Sequence, residues 1–298
     1  MLHTQTSSTK KRSDLRKALA TGKLLRFPGA FSPLVAKLIE DIGFEGVYIS
    51  GAVISNMLGL PDIGLTTLSE VSQTGTAISR VTNLPSIIDA DTGFGEASNV
   101  ARTTQILEDS GVSGMHLEDQ VNPKRCGHLD NKQIVLAQEM IKKVKSAAKA
   151  RRDKDFLIIA RTDSRASEGL EKAISRAKSY VDAGADMIFP EALENEKEFE
   201  AFRKEIKVPL LANMTEFGKS KLLSTKTLEG LGYNLVIYPV TSLRLALKAV
   251  EDGLREIASA GSQEGLLGNM QTRKRLYELL EYQKFSEFDK EIFNFKLS

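Results

Sequence analysis

Short apolar runs recur along the chain, and each is followed by a longer stretch in which apolar positions have helical spacing. The apolar runs have the length of buried strands and occupy 24–30, 46–52, 85–91, 114–119, 156–163, 187–191, 209–216 and 235–240. The clearest helical stretches occupy 98–110, 132–150, 169–183 and 241–260. Strands that alternate with helices are typical of a parallel sheet with crossover helices. Because eight strands close a barrel, the pattern predicts the α/β class and a (β/α)₈ architecture.

The chain continues after the eighth predicted strand and its helix, with more helical pattern than a closed barrel needs. The apolar positions there that fit one helical stripe are Leu276, Leu279, Leu280 and Phe285. We therefore expect 261–298 to form a C-terminal helical extension that packs on a neighbouring subunit. No linker divides the chain, so 1–298 is expected to be a single domain. The polar segment 1–12, which ends in three basic residues, is expected to be a flexible, solvated arm.

Composition narrows the kind of partner. The chain has 41 basic and 39 acidic residues, and a net charge of +2 gives no general attraction to nucleic acid or an anionic membrane. No apolar run approaches the ~18 residues of a transmembrane helix. The single cysteine cannot form a disulfide within the chain, which favours a cytoplasmic location. The Gly-Phe-Gly at 93–95 lacks the other residues of a nucleotide-binding motif, so a small-molecule substrate without an organic cofactor is expected.

Polar residues stand at the carboxyl ends of the predicted strands. They are Ser50-Gly51, Asp89-Ala90-Asp91, Glu118-Asp119, Arg161-Thr162-Asp163, Glu191, Asn213-Met214-Thr215 and Tyr238. In a parallel barrel these ends emerge on one face, where barrel active sites lie. A pattern that served only solubility would scatter polar residues over the outer faces of the helices. The distribution therefore predicts one converging site.

Asp89 and Asp91 form a D-x-D sequence at a strand end, where alternation is expected to point both side chains the same way. Two such carboxylates repel each other unless a cation lies between them. Oxygen ligands favour Mg²⁺, with Mn²⁺ as the alternative, over zinc. Glu118 on the next strand is placed to complete the metal site, directly or through water. The competing interpretation is that one aspartate caps the next helix or pairs with Arg161.

Three arginines favour a substrate with more than one carboxylate. Arg161 stands at a strand end, and its planar guanidinium can bind a carboxylate with two hydrogen bonds. Its alternative role is a salt bridge to Asp163 or Glu191. Arg244 follows the eighth strand, and Arg273 lies in the C-terminal extension.

The only cysteine, Cys126, lies in a polar loop between Lys124-Arg125 and Gly127-His128. Cations beside a thiol stabilise the thiolate and lower its pKa from the free value of ~8.5. One cysteine and one nearby histidine make half of a zinc site, and His128 is too close in sequence for an obvious catalytic dyad. Two interpretations remain: an incidental surface cysteine, or a loop thiol that gives or takes a proton beside the metal site.

Motifs along nearly the whole chain resemble the isocitrate lyase and phosphoenolpyruvate mutase superfamily. They are YISGA at Tyr48, GLPDIG at Gly59, DADTGFG at Asp89, HLEDQ at His116, KRCGH at Lys124, ARTD at Ala160, FPEA at Phe189, LANMTEFG at Leu211, YPVTSLR at Tyr238 and MQTR at Met270. The cysteine of the KRCGH loop favours the lyases over the phosphonomutases. The short chain and NMTEFG resemble the branch that cleaves 2-methylisocitrate rather than the longer isocitrate lyases.

The resemblance implies a TIM-type barrel with a swapped C-terminal helix, assembled as a homotetramer from two dimers. It also implies a Mg²⁺-dependent carbon–carbon lyase that cleaves a tricarboxylate, (2S,3R)-2-methylisocitrate, to pyruvate and succinate in the methylcitrate cycle of propionate catabolism. Metal binding then falls on Asp89 and Asp91, with Glu118 beside them. Catalytic roles fall on Cys126, Tyr48, His128 and Lys124. Substrate contacts fall on Ser50, Gly51, Ala52, Asp62, Gly127, Arg161, Glu191, Asn213, Thr215, Arg244 and Arg273.

The implied reaction removes the proton of the substrate hydroxyl, breaks a carbon–carbon bond to release pyruvate, and leaves a carbanion on the succinate half. Cys126 is the expected acid for that carbanion, and Tyr48 is the expected base, with a metal-bound water as its rival. The donors expected to stabilise the carbanion are Arg161, Asn213, Thr215 and His128. Ala52 stands where the family often has glycine and adds a methyl group beside the substrate. The alternatives are a dimethylmalate or isocitrate lyase and, outside enzymes, a barrel that only binds.

Overall fold

A computed structural model of the chain describes residues 4–125, 127 and 132–294. In these residues the strands are β1 (Leu25–Pro28), β2 (Val47–Ile49), β3 (Ser86–Asp89), β4 (Gly114–Glu118), β5 (Leu157–Thr162), β6 (Met187–Pro190), β7 (Leu211–Asn213) and β8 (Leu235–Tyr238). Each lies within one of the predicted apolar runs, so the strand prediction is confirmed.

The strands pair in parallel and close into a barrel. One run pairs β2, β3, β4, β5 and β6 in chain order, and another pairs β1, β8 and β7. A bridge between Gly29 and Tyr48 joins β1 to β2, and a bridge between Ile188 and Leu210 joins β6 to β7. The predicted (β/α)₈ architecture is therefore confirmed.

The helices surround this barrel. They are α1 (Ser8–Ala20), α2 (Pro33–Ile42), α3 (Gly51–Met57), α4 (Leu68–Ser79), α5 (Ala97–Asp109), α6 (Ala137–Ala150), α7 (Arg165–Glu168), α8 (Leu170–Asp182), α9 (Glu196–Glu205), α10 (Thr225–Gly230), α11 (Thr241–Ala260), α12 (Arg273–Leu279) and α13 (Tyr282–Phe293), with a 3₁₀ turn at Glu264–Asn269. The four clearest predicted helices correspond to α5, α6, α8 and α11. Within the described part of the chain, no helix combines the length and apolar character that crossing a bilayer requires.

Helix α6 begins at Ala137, later than the predicted 132. The reason is that the preceding segment pairs with the chain that leaves β4. The Val121 N–H donates to the Gln133 carbonyl at 2.8 Å, and the Val135 N–H donates to the Asp119 carbonyl at 2.9 Å. These hydrogen bonds satisfy backbone groups that a longer helix would otherwise use.

The core has an inner and an outer part. Inside the barrel, apolar side chains such as Phe27, Ile87 and Leu235 pack together, and Leu15 and Leu19 of α1 join them. A larger cluster fills the space between the strands and the surrounding helices. Each fully buried side chain of this size contributes about 1.5–3 kcal/mol. Arg12 of α1 donates to the Val112 carbonyl just before β4, so α1 lies at the amino ends of the strands.

The start of the chain differs from the flexible, solvated arm expected over 1–12. Helix α1 already begins at Ser8, and both Lys11 and Arg12 are buried. The Lys11 ammonium donates to the carbonyls of Ser79 at 2.7 Å and Thr82 at 2.6 Å. Arg12 likewise donates to backbone carbonyls. The acceptors are far away in sequence, so a local charge pattern could not indicate them.

Candidate active site

A cavity of about 240 Å³ opens at the carboxyl ends of the strands. The predicted site residues that border it are Tyr48, Ser50, Ala52, Asp62, Asp89, Lys124, Gly127, Arg161, Glu191, Asn213, Thr215 and Arg244. The bordering residues that sequence reasoning missed are Asn56, Phe189, Ile237, Pro239, Val240, Leu243 and Leu247. Most of the missed residues are apolar, and in the sequence they are indistinguishable from ordinary core positions.

The remaining predicted site residues either do not border the cavity or lie outside the described residues. Gly51, Asp91 and Glu118 lie beside the cavity. Arg273 is exposed at the start of α12 and does not border the cavity in this chain. Cys126 and His128 lie outside the residues that the structure describes, and the roles given to them stay predictions.

The two aspartates meet because of a turn and not because of strand alternation. Strand β3 ends at Asp89, and Asp91 has a left-handed backbone with φ of 46°. The Asp91 N–H donates to Asp89 Oδ1 at 3.0 Å. The alternation expected from the D-x-D sequence therefore does not extend to Asp91, although both carboxylates still converge.

Gly51 marks the point of convergence. Its N–H donates to Asp89 Oδ2 at 3.2 Å. A Cβ atom on Gly51 would lie 2.9 Å from Asp89 Oδ2 and 3.1 Å from Asp91 Oδ1. Real Cβ atoms essentially never lie within 3.0 Å of a non-neighbouring heavy atom, so a side chain on Gly51 would displace the Asp89 carboxylate and crowd that of Asp91.

Three buried carboxylate oxygens have no hydrogen-bond partner in the described structure: Asp91 Oδ1 and both oxygens of Glu118. The Lys124 Nζ is 2.9 Å from Asp91 Oδ1, but the pair lacks hydrogen-bond geometry, so the contact is only an ion pair. Lys124 and Arg161 bring positive charge near these carboxylates, but the three oxygens still lack hydrogen-bond donors, and a buried acceptor without a donor costs free energy. The oxygen-only set therefore fits a Mg²⁺ ion.

A Mg²⁺ ion bound here would need water ligands in addition to protein ligands. Among the described residues, no three His, Cys, Asp or Glu side chains are close enough together to hold a metal by themselves. Mg²⁺ usually keeps several waters and takes one or two carboxylates directly. Asp89 and Asp91 suit the direct positions, and Glu118 suits a position reached through water.

Burial is the largest influence on the pKa values of the ionisable groups in this region. Burial raises the pKa of Asp91 to about 6 and holds the pKa of Glu118 well above its ordinary value. Burial also opposes the charge of Lys124, but the nearby carboxylates, Asp91 foremost, outweigh it and hold the Lys124 pKa well above its usual range. Lys124 also forms an ion pair with Asp62. The ammonium therefore stays charged between two aspartates.

Tyr48 hydrogen-bonds to a histidine that sequence reasoning did not assign. Tyr48 Oη lies 2.7 Å from His116 Nε2, and the two rings stack with centroids 5.9 Å apart. Burial lowers the pKa of His116 to about 4 and raises the pKa of Tyr48 well above its usual value. At neutral pH the pair is a protonated phenol and a neutral imidazole. The available signal was His116 itself, a polar residue inside an apolar strand run, two positions before Glu118.

Arg161 is held by carboxylates on several sides. Its Nε and Nη2 donate to Asp163 at 2.8 and 3.1 Å. Its Nη1 lies 3.3 Å from Glu118 Oε2, and its Nε lies 3.6 Å from Glu191 Oε2. The alternative salt bridges considered for this residue are therefore present, and Arg161 nonetheless borders the cavity. Its guanidinium also packs over the Phe189 ring at 5.2 Å.

The second arginine, Arg244, stands at the mouth of the cavity in the first turn of α11. Its Nη1 donates to the Glu216 carbonyl at 2.6 Å and to Glu216 Oε2 at 2.9 Å. Glu216 also accepts from the Thr241 hydroxyl. The loop after β7 thereby fixes the direction of the guanidinium.

Comparison with known proteins identifies the family to which this chain is similar. Residues 15–258 match the sequence model of a family described as phosphoenolpyruvate phosphomutase. A protein named probable 2-methylisocitrate lyase 2 from Corynebacterium glutamicum is 56% identical over 287 residues, which are 96% of this chain and 94% of that protein. The 2-methylisocitrate lyase of Aeropyrum pernix is 48% identical over 278 residues, covering 93% and 90%. A crystal structure of 2,3-dimethylmalate lyase superposes with a TM-score of 0.90 at 29% identity, covering 99% and 100%.

Proposed function

Because the chain belongs to the phosphoenolpyruvate phosphomutase family, we propose that it is the lyase that cleaves (2S,3R)-2-methylisocitrate to pyruvate and succinate, with Mg²⁺ as its cofactor. The observation that carries the proposal is the composition of one cavity. A pair of carboxylates suited to a metal, Asp89 and Asp91, adjoins two arginines suited to carboxylates, Arg161 and Arg244. This arrangement matches a hydroxy-tricarboxylate better than a neutral or cationic substrate.

The apolar side of the cavity supports a substrate with a methyl group. Phe189, Ile237, Pro239, Val240 and Leu243 border it there. Burying one methyl group against such a surface stabilises the complex by ~0.8 kcal/mol. Isocitrate lacks that methyl group and would leave this surface without a partner.

Metal binding falls to Asp89 and Asp91, with Glu118 in an outer position. When bound, Mg²⁺ supplies a concentrated positive charge for the substrate's hydroxyl and adjacent carboxylate. The Lys124 ammonium neutralises part of the negative charge of Asp91 and Asp62. These carboxylates can therefore lie close together before substrate binds.

Tyr48 is the residue that we propose as acceptor of the hydroxyl proton. Because burial raises its pKa, Tyr48 is a phenol at neutral pH and acts as a base only if it passes its own proton to His116 Nε2, 2.7 Å away. Burial disfavours the imidazolium that would result, and Asp89 Oδ1, 3.5 Å from the same nitrogen, would stabilise it. Cys126 is the proposed acid that protonates the succinate carbanion after the bond breaks. A thiol serves this role when water is excluded, since water would otherwise compete for the carbanion.

Arg161, Asn213 and Thr215 are the proposed donors for the developing enediolate. Arg161 is preorganised by Asp163, so its guanidinium need not reorient when charge develops. The Asn213 amide is likewise directed by the carboxylate of Glu191, at 3.3 Å to each oxygen. Preorganised donors of this kind each contribute roughly 10²–10³ in rate.

We further propose a homotetramer built as a dimer of dimers, with 261–298 as an extension of one barrel domain 1–298. Apolar side chains exposed on α11 and α13 support the assembly. Arg273, which does not reach the cavity of its own chain, would then serve a neighbouring subunit's site. A single cysteine supports a cytoplasmic location, and a role in the methylcitrate cycle follows from the proposed substrate.

The test is release of pyruvate from 2-methylisocitrate, followed with lactate dehydrogenase and NADH. We expect Mg²⁺-dependent release that EDTA abolishes and added Mg²⁺ restores. A Cys126→Ser variant should bind substrate with little change and turn over at least ~10²-fold more slowly, since the carbanion loses its acid. Absence of pyruvate from the wild-type protein with Mg²⁺ would overturn the proposal.

The second candidate is 2,3-dimethylmalate, favoured by the near-complete structural match to a dimethylmalate lyase. This substrate has fewer carboxylates than 2-methylisocitrate, so one of the two arginines would have no substrate carboxylate to bind. Parallel assays with 2-methylisocitrate, dimethylmalate and isocitrate distinguish the candidates, the last by release of glyoxylate. A higher kcat/KM for dimethylmalate than for 2-methylisocitrate would favour the second candidate.

A further inference from the structure

Lys132 has a buried ammonium at the end of the cysteine loop, the segment 124–132 that carries Cys126. Its side chain is only 4% exposed. The Nζ donates to Asp163 Oδ1 at 2.9 Å and to the backbone carbonyl of Gly127. A buried ammonium is costly unless it is paired, so this placement calls for a specific explanation.

Asp163 connects Lys132 to the site. The same Asp163 Oδ1 that accepts from Lys132 also accepts from Arg161 Nη2 at 3.1 Å, and its Oδ2 accepts from Arg161 Nε at 2.8 Å. The Asp163 N–H is fixed in turn by Asp119 Oδ1 at 2.8 Å. Two cations from different parts of the chain therefore share one buried carboxylate, whose backbone is held by Asp119.

Gly127 connects Lys132 to the site by a second route. A Cβ atom on Gly127 would lie 2.4 Å from Arg161 Nη2 and 2.6 Å from Glu191 Cγ. The Gly127 backbone therefore lies directly beside the Arg161 guanidinium. The Lys132 ammonium holds the carbonyl of that same residue.

From these contacts we infer that Lys132 is a positioning residue, which fixes the loop backbone at Gly127 against Arg161 and keeps Arg161 directed into the cavity. The inference rests on the proposed function, in which Cys126, the neighbour of Gly127, protonates the product carbanion. Lys132 touches neither substrate nor metal in this scheme. It acts by joining the loop to the carboxylate that orients Arg161.

The charges around Asp163 explain why loss of the Lys132 ammonium would disturb Arg161. Lys132 compensates part of the charge on Asp163, so Arg161 can also approach Glu118 and Glu191. Without the ammonium, Arg161 would be the sole cation hydrogen-bonded to Asp163 among the described residues, and the Gly127 carbonyl would lose a charged donor. Both changes displace groups that must be aligned when the carbanion forms.

The kinetic experiment compares Lys132→Met, which removes the ammonium and keeps the apolar stem, with Lys132→Arg, which keeps a cation. Lys145→Met on α6 is the matched control, because Lys145 is exposed and makes no contact with the site. For 2-methylisocitrate with Mg²⁺ we expect Lys132→Met to lower kcat by about 10- to 100-fold and to change KM by less than about threefold. Lys132→Arg should recover part of the loss, and Lys145→Met should match the wild type.

A second readout needs no turnover. Cys126 is the only thiol in the chain, so iodoacetamide labelling reports on this loop alone. We expect Lys132→Met to label at least about fivefold faster than the wild type, because a segment that loses ~1 kcal/mol of anchoring opens correspondingly more often. Loss of a cation alone would slow labelling by raising a thiol's pKa, so acceleration identifies loosening.

The two readouts separate the possible failures. If the wild type releases no pyruvate, the proposed function fails, and the labelling comparison still decides the role of Lys132. If Lys132→Met keeps wild-type kcat and wild-type labelling, the role of Lys132 is overturned. A rise in KM with unchanged kcat would also overturn it, since that result indicates direct substrate binding. Should Lys132→Met not fold, Lys132→Gln is compared in the same way.

Discussion

Gly51 has no side chain at the place where two aspartates converge. Its N–H donates to Asp89, and a Cβ atom there would lie 2.9 and 3.1 Å from oxygens of Asp89 and Asp91. The residue thus shapes the proposed metal site without offering a ligand. Groups that orient metal ligands typically change metal affinity by 10- to 100-fold when they are altered.

We therefore expect Gly51→Ala to weaken Mg²⁺ binding by at least about tenfold, because the new methyl group displaces one of the carboxylates. Calorimetric titration with Mg²⁺ measures the change. Gly230→Ala is the matched control, since no atom lies within 4 Å of its added Cβ. Equal Mg²⁺ affinities for Gly51→Ala and the wild type would contradict the metal assignment.

At the scale of elements, α1 carries an unusual buried cation. Lys11 donates to one carbonyl at the end of α4 and to another just after it. Burial lowers its pKa from 10.5 to about 8 despite the opposing charge of Glu40. Below pH 8 the amine is charged both in the folded and in the unfolded chain, so the penalty for burying the charge is fully present. Between pH 8 and 10.5 the folded chain loses the proton first, so stability rises with pH in this window.

The prediction compares denaturant midpoints of the wild type and Lys11→Met between pH 7.5 and 10. The difference between them should shift in favour of the wild type as pH rises, since the variant lacks the titrating amine. Taking the difference removes the contribution of other groups. Lys23→Met, which removes a lysine at an exposed position after α1, is measured in parallel as the control substitution. A constant difference for Lys11→Met would show that burial does not disturb this amine.

Elements were predictable where local periodicity decides them. All eight strands and α11 follow from runs of apolar residues and from helical spacing. The start of α6 and the burial of Lys11 do not, because both depend on partners far along the chain: the end of β4 in one case and carbonyls near Ser79 in the other. Long-range hydrogen bonds override local pattern in both places.

Some residues of the candidate site could be predicted from the sequence, and others depend on contacts between distant parts of the chain. Asp89, Glu118 and Arg161 could be found because a parallel barrel places every strand end on one face. Lys132 and His116 could not be assigned, since their importance depends on a carboxylate or a phenol that only the closed barrel brings near. The apolar border of the cavity was missed because its residues look like ordinary core.

For the whole molecule, α11 presents an apolar stripe that its own barrel leaves exposed. Leu247, Val250, Leu254 and Ile257 recur at helical spacing, with 58%, 54%, 61% and 40% of their surfaces accessible. Patches of this kind on a single chain usually mark protein interfaces. The stripe agrees with the proposed tetramer.

We expect Leu254→Asp to reduce the molecular mass measured by light scattering, because a charge at the centre of an apolar interface cannot be solvated there. Asp252→Asn is the control on the other side of the same helix and should leave the mass unchanged. A wild-type protein that is monomeric at micromolar concentration would contradict the tetramer.

The hydrogen bonds that join the two ends of the cysteine loop also bear on how much the length of the loop affects the stability of the barrel. Val121 is tied to Gln133, and Asp119 is tied to Val135, so the stretch between them leaves and re-enters the barrel at one point. The entropy of closing such an excursion grows only with the logarithm of its length. A longer stretch would therefore cost the barrel little closure entropy, provided that the buried contacts of Lys124, Gly127 and Lys132 are kept. New reactivities can arise there while the scaffold remains unchanged.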